Sequence, residues 1–367
     1  MPLRIGQDFT GKFTGMACCC YYFQFMRQRY QQWMHAWETR LNQRDTNRVV
    51  RPFEWGIEWA RRWPLVDGAP SADGCQAWLD ELNRHIVAHS DEFFAYRTPA
   101  DFRLEGNSLR FTSAVTSPFP ENNEVSARWF RARGNRAVVV LPQWNSDAES
   151  HVRLCRIFQL LGIAALRLSL PYHDVRMPAE LERADYAVSS NLCRTIDAGR
   201  QAVADARSCL DWLEDRGYSR LGIVGTSLGS CYAFITSAHD DRLKVNVFNH
   251  ASTYFADVVW TGQSTRHVRL GVENDIDLER LRPAWLAISP MAYMDKFAEK
   301  PKKSLVVYAT YDLTFPPELS RELIAEMARR NLDHRVAVLP CGHYTSGETP
   351  FKFLDAWHMG RFLQSAF

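Results

Sequence analysis

One serine lies in a segment whose residue types and spacing suit nucleophilic chemistry. Residues 225–229 read Gly-Thr-Ser-Leu-Gly, after a short apolar run at 221–224 and before a longer apolar run. A Gly-x-Ser-x-Gly segment at a strand-to-helix turn exposes the serine hydroxyl, because small residues at both ends let the turn be tight. Without those flanks, a serine among glycines would be an ordinary turn residue. The flanking runs favour the interpretation of Ser227 as a nucleophile.

A serine hydroxyl reacts only when a base removes its proton, so a histidine and an orienting acid are also needed. Asp312 follows a predicted strand at 304–308, and His343 follows another at 335–339. The carboxyl ends of parallel strands meet at one edge of a sheet, which would bring both side chains toward the serine. The chain order of serine, acid and histidine suits the same chemistry. Asp312 alone is equally typical of a helix N-cap, and Asp257 is the alternative acid.

Acyl transfer also needs backbone N–H groups that stabilise the negative charge on the oxygen of the tetrahedral intermediate. The first residue of the helix that follows the serine, Leu228, is one expected donor, since the free N–H groups of a helix start point toward the turn. The second is expected after the predicted strand at 136–141, where residues 142–145 read Pro-Gln-Trp-Asn. We expect the N–H of Trp144 in this role, with Gln143 as the alternative.

Other polar residues near predicted strand ends are candidates for lining a substrate pocket, or for satisfying local backbone groups: Gln143, Tyr172, His173 and His250. His85 and His89 have the i, i+4 spacing of a zinc pair. The residues between them include no glutamate, and no third ligand is evident. We interpret this pair as a coincidence on a helix surface. The sequence predicts no metal ion and no cofactor.

Short β-branched runs alternate with helical segments from about residue 106 to residue 367. The predicted strands are 109–116, 124–133, 136–141, 163–170, 221–224, 244–248, 304–308 and 335–339, and the predicted helices are about 148–161, 192–216, 228–238, 317–330 and 351–365. The first two strands would pair antiparallel across a turn. Strands that alternate with helices indicate βαβ units, and hence an α/β fold with a doubly wound, mostly parallel sheet.

Two parts of the chain depart from this alternation. Residues 1–105 are rich in tryptophan and are predicted to be a helical extension of a catalytic domain at 106–367. Tryptophans four residues apart share a helix face, which favours packing on the catalytic domain, with a substrate cap or an interfacial anchor as the alternatives. Segments 171–190 and 253–300 are predicted to be insertions at the carboxyl ends of strands. They are candidates for a lid and for pocket walls.

Together these motifs resemble the α/β-hydrolase superfamily over roughly residues 109–367. GTSLG resembles its nucleophile elbow, YDLTFPP its acid loop and CGH its histidine loop. The blocks LPYHDVRMP and GYSRLGIVGTSLGS are similar to the abhydrolase-domain-containing-eighteen-like subgroup. Many superfamily members carry His-Gly ahead of the oxyanion-hole residue, where this chain has Pro142 and Gln143.

The resemblance implies a serine hydrolase that forms an acyl-enzyme and cleaves carboxylic esters, lipid acyl esters among them. An acyltransferase, a thioesterase or a peptidase would use the same three residues. A binding protein that keeps the fold without catalysis is a further alternative, and the unusual residues after the 136–141 strand are its one support. Graded ester substrates, with and without an acceptor, would separate these functions.

The amino-acid composition of the chain limits the kinds of molecule that could be its substrate or partner. The chain has 367 residues, and its net charge of +2 comes from 44 basic and 42 acidic residues, so no electrostatic footprint for nucleic acid is present. Nine cysteines, an odd number without a CxxC pair, favour a reducing, cytoplasmic location.

No run reaches the roughly 18 apolar residues of a membrane span, and residues 16–26 lack the pattern of a cleaved leader. We expect a small-molecule or lipid ester as substrate. Peripheral membrane contact and oligomeric state are left open.

Overall fold

The computed structural model describes residues 13–367, and it describes the side chains of residues 24–71 and 73–367. In this part of the chain one nine-stranded sheet has the order β1-β2-β3-β5-β4-β6-β7-β8-β9. The strands are β1 Arg103–Glu105, β2 Ser108–Thr112, β3 Glu124–Phe130, β4 Arg136–Leu141, β5 Ala164–Leu168, β6 Arg220–Thr226, β7 Leu243–Asn249, β8 Lys303–Ala309 and β9 His334–Leu339. Pairs among β1, β2, β3 and β5 are antiparallel, and all other neighbours are parallel. The predicted fold class is therefore confirmed.

Helices of the described residues cover both faces of this sheet. They are α1 Phe13–Asn42, α2 Ile57–Ala60, α3 Cys75–Ala88, α4 Ser90–Phe93, α5 Pro120–Asn123, α6 Val152–Leu160, α7 Leu192–Asp215, α8 Leu228–Ala238, α9 Phe255–Thr261, α10 Arg266–Val272, α11 Leu278–Ala284, α12 Met294–Ala298, α13 Pro317–Arg329 and α14 Phe351–Ala366. Short 3₁₀ turns lie at Ala72–Gly74, Asp174–Arg176, Leu286–Ile288, Pro290–Tyr293 and Thr345–Gly347. None of the described helices is both long enough and apolar enough to cross a membrane.

The central strand β4 shows how the two faces are built. Successive side chains of a strand point to opposite faces of its sheet. Ala137, Val139 and Leu141 belong to the larger core cluster, which also contains the apolar faces of α7 and α8. Val138 and Val140 belong to a second cluster with α6 and α14. Because β4 is apolar on both faces, it fits only the middle of a covered sheet.

The N-terminal helices pack on these same clusters. Trp59 and Trp63 are buried in the larger core, and Met34 of α1 is buried in the second. Trp33 is half exposed, so only part of the aromatic content is used for packing. Strand β1 extends the sheet by three residues that the sequence did not predict as a strand. The division of the chain at residue 105 stays a prediction.

Some predicted elements are longer than the observed ones. The helix predicted at 148–161 begins only at Val152, because residues 147–150 form a turn in which Asp147 accepts hydrogen bonds from the backbone and hydroxyl of Ser150. The predicted strand 109–116 ends at Thr112, whose N–H and hydroxyl donate to Asp101. Side chains that hydrogen-bond to the backbone compete with regular structure, and this accounts for both differences.

Candidate functional site

The turn between β6 and α8 holds Ser227 in a conformation that few non-glycine residues adopt. Its φ is 57° and its ψ is −119°, a strained combination that persists only where the surroundings hold it. Its N–H donates to the carbonyl oxygen of Asn249 at 2.8 Å. A Cβ atom on Gly225 would lie 2.2 Å from the carbonyl oxygen of Gly229, and one on Gly229 would lie 2.2 Å from that of Leu141. The two glycines are therefore required by close backbone contacts.

The structure brings the three side chains of the predicted triad together. His343 Nε2 lies 3.1 Å from Ser227 Oγ, and His343 Nδ1 lies 3.0 Å from Asp312 Oδ2. The other oxygen of Asp312 accepts from the backbone N–H groups of Thr314 and Phe315, at 2.8 and 2.7 Å. The ring of Phe315 also stacks on the His343 imidazole, with 5.3 Å between centroids. Both the acid and the base are thus held in one orientation.

Electrostatics in this group favour a charged Asp312 and a basic His343. Burial favours the neutral form of the acid, but the charge of His343 and hydrogen bonds from His250 and His343 outweigh it and hold the pKa of Asp312 well below its usual range. Burial likewise opposes the charged imidazole, yet Asp312 raises the pKa of His343 above its ordinary value. A base of raised pKa accepts a hydroxyl proton more readily.

A second histidine contacts the same acid. His250, just after β7, places its Nδ1 at 2.9 Å from Asp312 Oδ2 and its Nε2 at 3.3 Å from the hydroxyl oxygen of Ser346. Its ring centroid is 4.5 Å from that of His343. Burial and the nearby His343 lower the pKa of His250. His250 was predicted to line the pocket, and it does so, but its contact with the acid was not predicted.

Within the described residues, one cluster has the side-chain types of a metal site, namely His250, Asp312 and His343. Each Nδ1 approaches the carboxylate oxygen at 2.9–3.0 Å, which is the length of a direct hydrogen bond. A tetrahedral zinc ion with ligand atoms about 2.0–2.2 Å away would hold those atoms roughly 3.3–3.6 Å from one another, which is farther apart than they are here. The arrangement therefore fits hydrogen bonding. His85 lies on α3 and His89 directly follows that helix; both are exposed, and neither belongs to this cluster.

Asp257, the alternative acid, has a different partner. It lies on α9, and its Oδ1 accepts from Arg282 Nε at 2.7 Å. In the described part of the chain it makes no hydrogen bond to either histidine of the cluster. Asp312 is the carboxylate that the fold places against His343.

The loop after β4, where the oxyanion hole was expected, is fixed by its neighbours. Trp144 stacks on His267, with ring centroids 5.5 Å apart, and its Nε1 donates to the carbonyl oxygen of Ala184 at 2.9 Å. The N–H of Asn145 donates to His173 Nε2 at 3.0 Å. Asn145 Oδ1 in turn accepts from the N–H of Ala184 at 2.8 Å. The predicted insertion 171–190 therefore braces this loop.

Three backbone N–H groups beside the serine stay available. Among the described residues, the N–H groups of Gln143, Trp144 and Leu228 donate to no protein acceptor. The close approach of Gly229 to Leu141 also shows that the start of α8 lies against the loop after β4. This leaves the predicted donors next to the elbow and without a competing partner.

A cavity of about 1010 Å³ opens at Ser227. Of the four candidate pocket residues, Gln143 and His250 line this cavity, whereas Tyr172 and His173 do not. The ring of Tyr172 is buried among other aromatic rings. Both ring nitrogens of His173 are engaged by backbone groups, so its role is to hold a loop. Both predicted insertions reach the cavity. Its apolar lining includes Val188, Cys231, Phe255, Val258, Val259 and Phe315, and also Ile157, Phe353 and Met359.

One residue near the site was not singled out from the sequence. Glu38 of α1 is completely buried, and its carboxylate accepts from the N–H groups of Tyr344 and Thr345 at 3.0 and 2.6 Å. These residues directly follow His343. The same helix also donates a hydrogen bond from the Tyr30 hydroxyl to the carbonyl oxygen of Pro340 at 2.6 Å. Helix α1 thus holds the loop that carries the histidine on both sides.

Comparisons with known proteins agree with this architecture. An esterase of Pyrococcus furiosus has 15% identity and a TM-score of 0.50, over 72% of this chain and 90% of its own. Acetyl xylan esterase 1 from Thermoanaerobacterium sp. JW/SL YS485 has 12% identity and a TM-score of 0.54, over 86% of this chain and 100% of its own. Acylaminoacyl peptidase of Pyrococcus horikoshii has 13% identity and a TM-score of 0.55, over 74% of this chain but 42% of its own.

The chain has the α/β-hydrolase fold. At these identities the similarity concerns the fold alone, and activity has to be argued from the site. No protein-family model and no curated protein matches the sequence. The finer resemblance to the abhydrolase-domain-containing-eighteen-like subgroup receives no support from these comparisons.

Proposed function

We propose that this protein is a serine hydrolase that cleaves carboxylic esters through an acyl-enzyme. Ser227 is the nucleophile, His343 the base and Asp312 the acid that orients the base. The supporting observation is the chain of hydrogen bonds from Ser227 Oγ through His343 to Asp312, at 3.1 and 3.0 Å, on a strained turn that faces a large cavity.

The first half of the reaction forms the acyl-enzyme. His343 Nε2 takes the hydroxyl proton as Ser227 Oγ attacks the ester carbonyl carbon, and the carbonyl oxygen becomes an oxyanion. The N–H groups of Leu228 and Trp144 stabilise that charge. His343 then gives its proton to the leaving alcohol as the C–O bond breaks. Asp312 keeps the Nδ1 proton in place, so the free lone pair stays on Nε2.

The second half removes the acyl group. Water enters where the alcohol left, His343 takes one of its protons, and the resulting hydroxide attacks the acyl carbon. Collapse of the second intermediate releases the carboxylic acid and returns the proton to Ser227. The apolar lining of the cavity suits an acyl chain, which keeps lipid acyl esters among the candidate substrates.

A fluorophosphonate probe tests the nucleophile. We expect the wild-type protein to be labelled and to hydrolyse p-nitrophenyl esters, and we expect Ser227→Ala to lose both properties. Ser219→Ala, at an exposed serine before β6, is the matched control and should behave as wild type. Labelling that persists in Ser227→Ala would refute the assignment.

The same assays separate the rival functions. An acyltransferase would transfer the acyl group to an added alcohol faster than to water. A peptidase would cleave acyl-peptide amide bonds as well as esters, whereas an esterase would leave the amides intact. Loss of activity with a chelator and its recovery with Zn²⁺ would point to metal chemistry at His250, Asp312 and His343. Failure with every ester, despite a folded protein, would favour a binding protein.

A further inference from the structure

A second polar group lines the cavity on the α6 and α14 side of the sheet. Asp355 of α14 is 8% exposed and Asn249 at the end of β7 is 2% exposed, and both face the cavity. Asn249 Nδ2 donates to Asp355 Oδ2 at 2.9 Å. The other carboxylate oxygen of Asp355 and the amide oxygen of Asn249 accept no hydrogen bond from any described residue.

Buried oxygens without a donor are costly and rare in folded proteins. Two of them on the wall of one cavity form a site that is complementary to a hydrogen-bond donor. Asn249 also accepts the N–H of Ser227 through its main-chain oxygen at 2.8 Å. Asn249 thus contacts the serine turn with its main chain and Asp355 with its side chain, and all three residues line one cavity.

The charged side chains around Asp355 and Asn249 favour a neutral hydrogen-bond donor over a positively charged one. Arg153, Arg156 and Lys352 also line the cavity, and none of them pairs with a carboxylate in the described part of the chain. The lining carboxylates Asp45 and Glu149 are each paired with an arginine. Three unpaired cations disfavour the entry of an ammonium group. Burial also raises the pKa of Asp355 to about 7, which weakens its attraction for a cation near neutral pH. A neutral hydroxyl suits this environment better, because it can donate to the carboxylate and accept from the carboxylic acid.

We propose that Asp355 and Asn249 bind a hydroxyl group on the alcohol part of the ester. The preferred substrates are then acyl esters of a polyol or a sugar, with the acyl chain against the apolar lining. This proposal rests on the proposed ester hydrolase function. It adds a substrate class to that function.

Three butyrate esters with the same acyl chain test the proposal: glyceryl monobutyrate, propyl butyrate and butyrylcholine. We expect the wild-type kcat/KM for the glyceryl ester to exceed that for the propyl ester by about tenfold, the usual effect of one well-placed hydrogen bond. Butyrylcholine should be the poorest substrate. Asp355→Leu should bring the glyceryl-to-propyl ratio close to one, and Asp355→Asn, which keeps a hydrogen-bonding edge, should retain part of it.

Asp215→Asn, at an exposed aspartate of α7, is the control and should leave the ratio unchanged. A wild-type ratio near one, a preference for butyrylcholine, or an equal loss on both neutral esters in Asp355→Leu would overturn the hydroxyl site. If Asp355→Leu does not fold, the wild-type ratio and Asp355→Asn decide the question. Absence of Ser227-dependent hydrolysis of all three esters would instead overturn the hydrolase function itself.

Discussion

At the scale of single residues, the central feature is one carboxylate oxygen shared by two histidines. Asp312 Oδ2 lies 3.0 Å from His343 Nδ1 and 2.9 Å from His250 Nδ1. An ionised carboxylate only accepts hydrogen bonds, so both Nδ1 atoms carry protons. Both Nε2 atoms then hold lone pairs when the rings are neutral. The Nε2 lone pair of His343 faces the Ser227 hydroxyl. His250 Nε2 lies 3.3 Å from Ser346 Oγ, whose proton is donated to the carbonyl oxygen of His343 at 2.7 Å.

The raised pKa of His343 predicts how activity depends on pH. Only the neutral imidazole can accept the proton of Ser227, so kcat/KM should rise with pH through the pKa of His343. Asp312 stabilises the protonated ring, and this places the rise at higher pH than for an isolated histidine. Asp312→Asn removes the negative charge, so the rise should move to lower pH while the plateau falls by about 10⁴-fold. Profiles of kcat/KM between about pH 5 and about pH 9, a range that spans the usual histidine pKa, measure both effects. An unmoved midpoint would contradict the role of Asp312.

At the scale of elements, helix α1 supports the loop that carries the base. Glu38 accepts from two consecutive backbone N–H groups, of Tyr344 and Thr345. A glutamine has one acceptor oxygen, so Glu38→Gln loses one of these bonds and also removes a charge that raises the pKa of His343. We expect kcat to fall by about 10–100-fold with little change in KM, since small displacements of a catalytic group are costly.

The pH profile distinguishes this role from a purely structural one. In Glu38→Gln the rise of kcat/KM should shift to lower pH, because the pKa of His343 falls when the charge is lost. Glu58→Gln, at an exposed glutamate of α2, is the matched control and should keep the wild-type profile. A variant that only melts earlier, with its kcat and pH midpoint unchanged, would show that Glu38 does not position the base.

The elbow itself depends on the absence of a side chain at Gly229. A Cβ atom there would lie 2.2 Å from the carbonyl oxygen of Leu141 and 2.5 Å from that of Pro142. Because backbone cannot yield as a flexible side chain does, Gly229→Ala should lower the free energy of unfolding by about 3 kcal/mol or more. Thermal and urea unfolding measure this loss. Gly347→Ala, where a Cβ meets nothing within 4 Å, should unfold as wild type does.

Features that depend on a short stretch of sequence could be predicted from the sequence, whereas contacts between distant residues could not. The elbow occupies one short stretch of strand, turn and helix, so the pattern around Ser227 was sufficient. Asp312 and His343 follow strands whose order the α/β alternation already implied. The contact of Glu38 with the histidine loop joins residues 306 and 307 positions apart, and no local pattern reports it. Strand β1 is exposed along its three residues, so it lacks the alternation that identifies a strand.

At the scale of the whole molecule, the cavity at Ser227 is lined by helices from both faces of the sheet, and the two sides differ in their charged residues. On the side of α8 and α9 the lining includes Cys231, Phe255 and Val259. On the side of α6 and α14 it includes Asp355 and three cations, together with apolar side chains such as Ile157, Phe353 and Met359. Ser227 lies at the end of β6, between the two. In the proposed reaction the alcohol part of the ester would bind on the side that carries Asp355, and the acyl chain would bind on the side of α8 and α9.

The buried Asp355 should also affect the stability of the whole molecule. Burial raises its pKa from 3.8 to about 7, so the folded protein holds a proton that the unfolded chain releases above pH 4. The stabilising contribution of the protonated group is complete below about pH 4 and is lost as the pH rises toward about 7. A shift of roughly three units corresponds to at most about 4 kcal/mol. Asp355→Asn cannot ionise, so its free energy of unfolding relative to wild type should increase between pH 4 and 8. Urea unfolding of both proteins at several pH values measures this difference, and a constant difference would mean that Asp355 titrates normally.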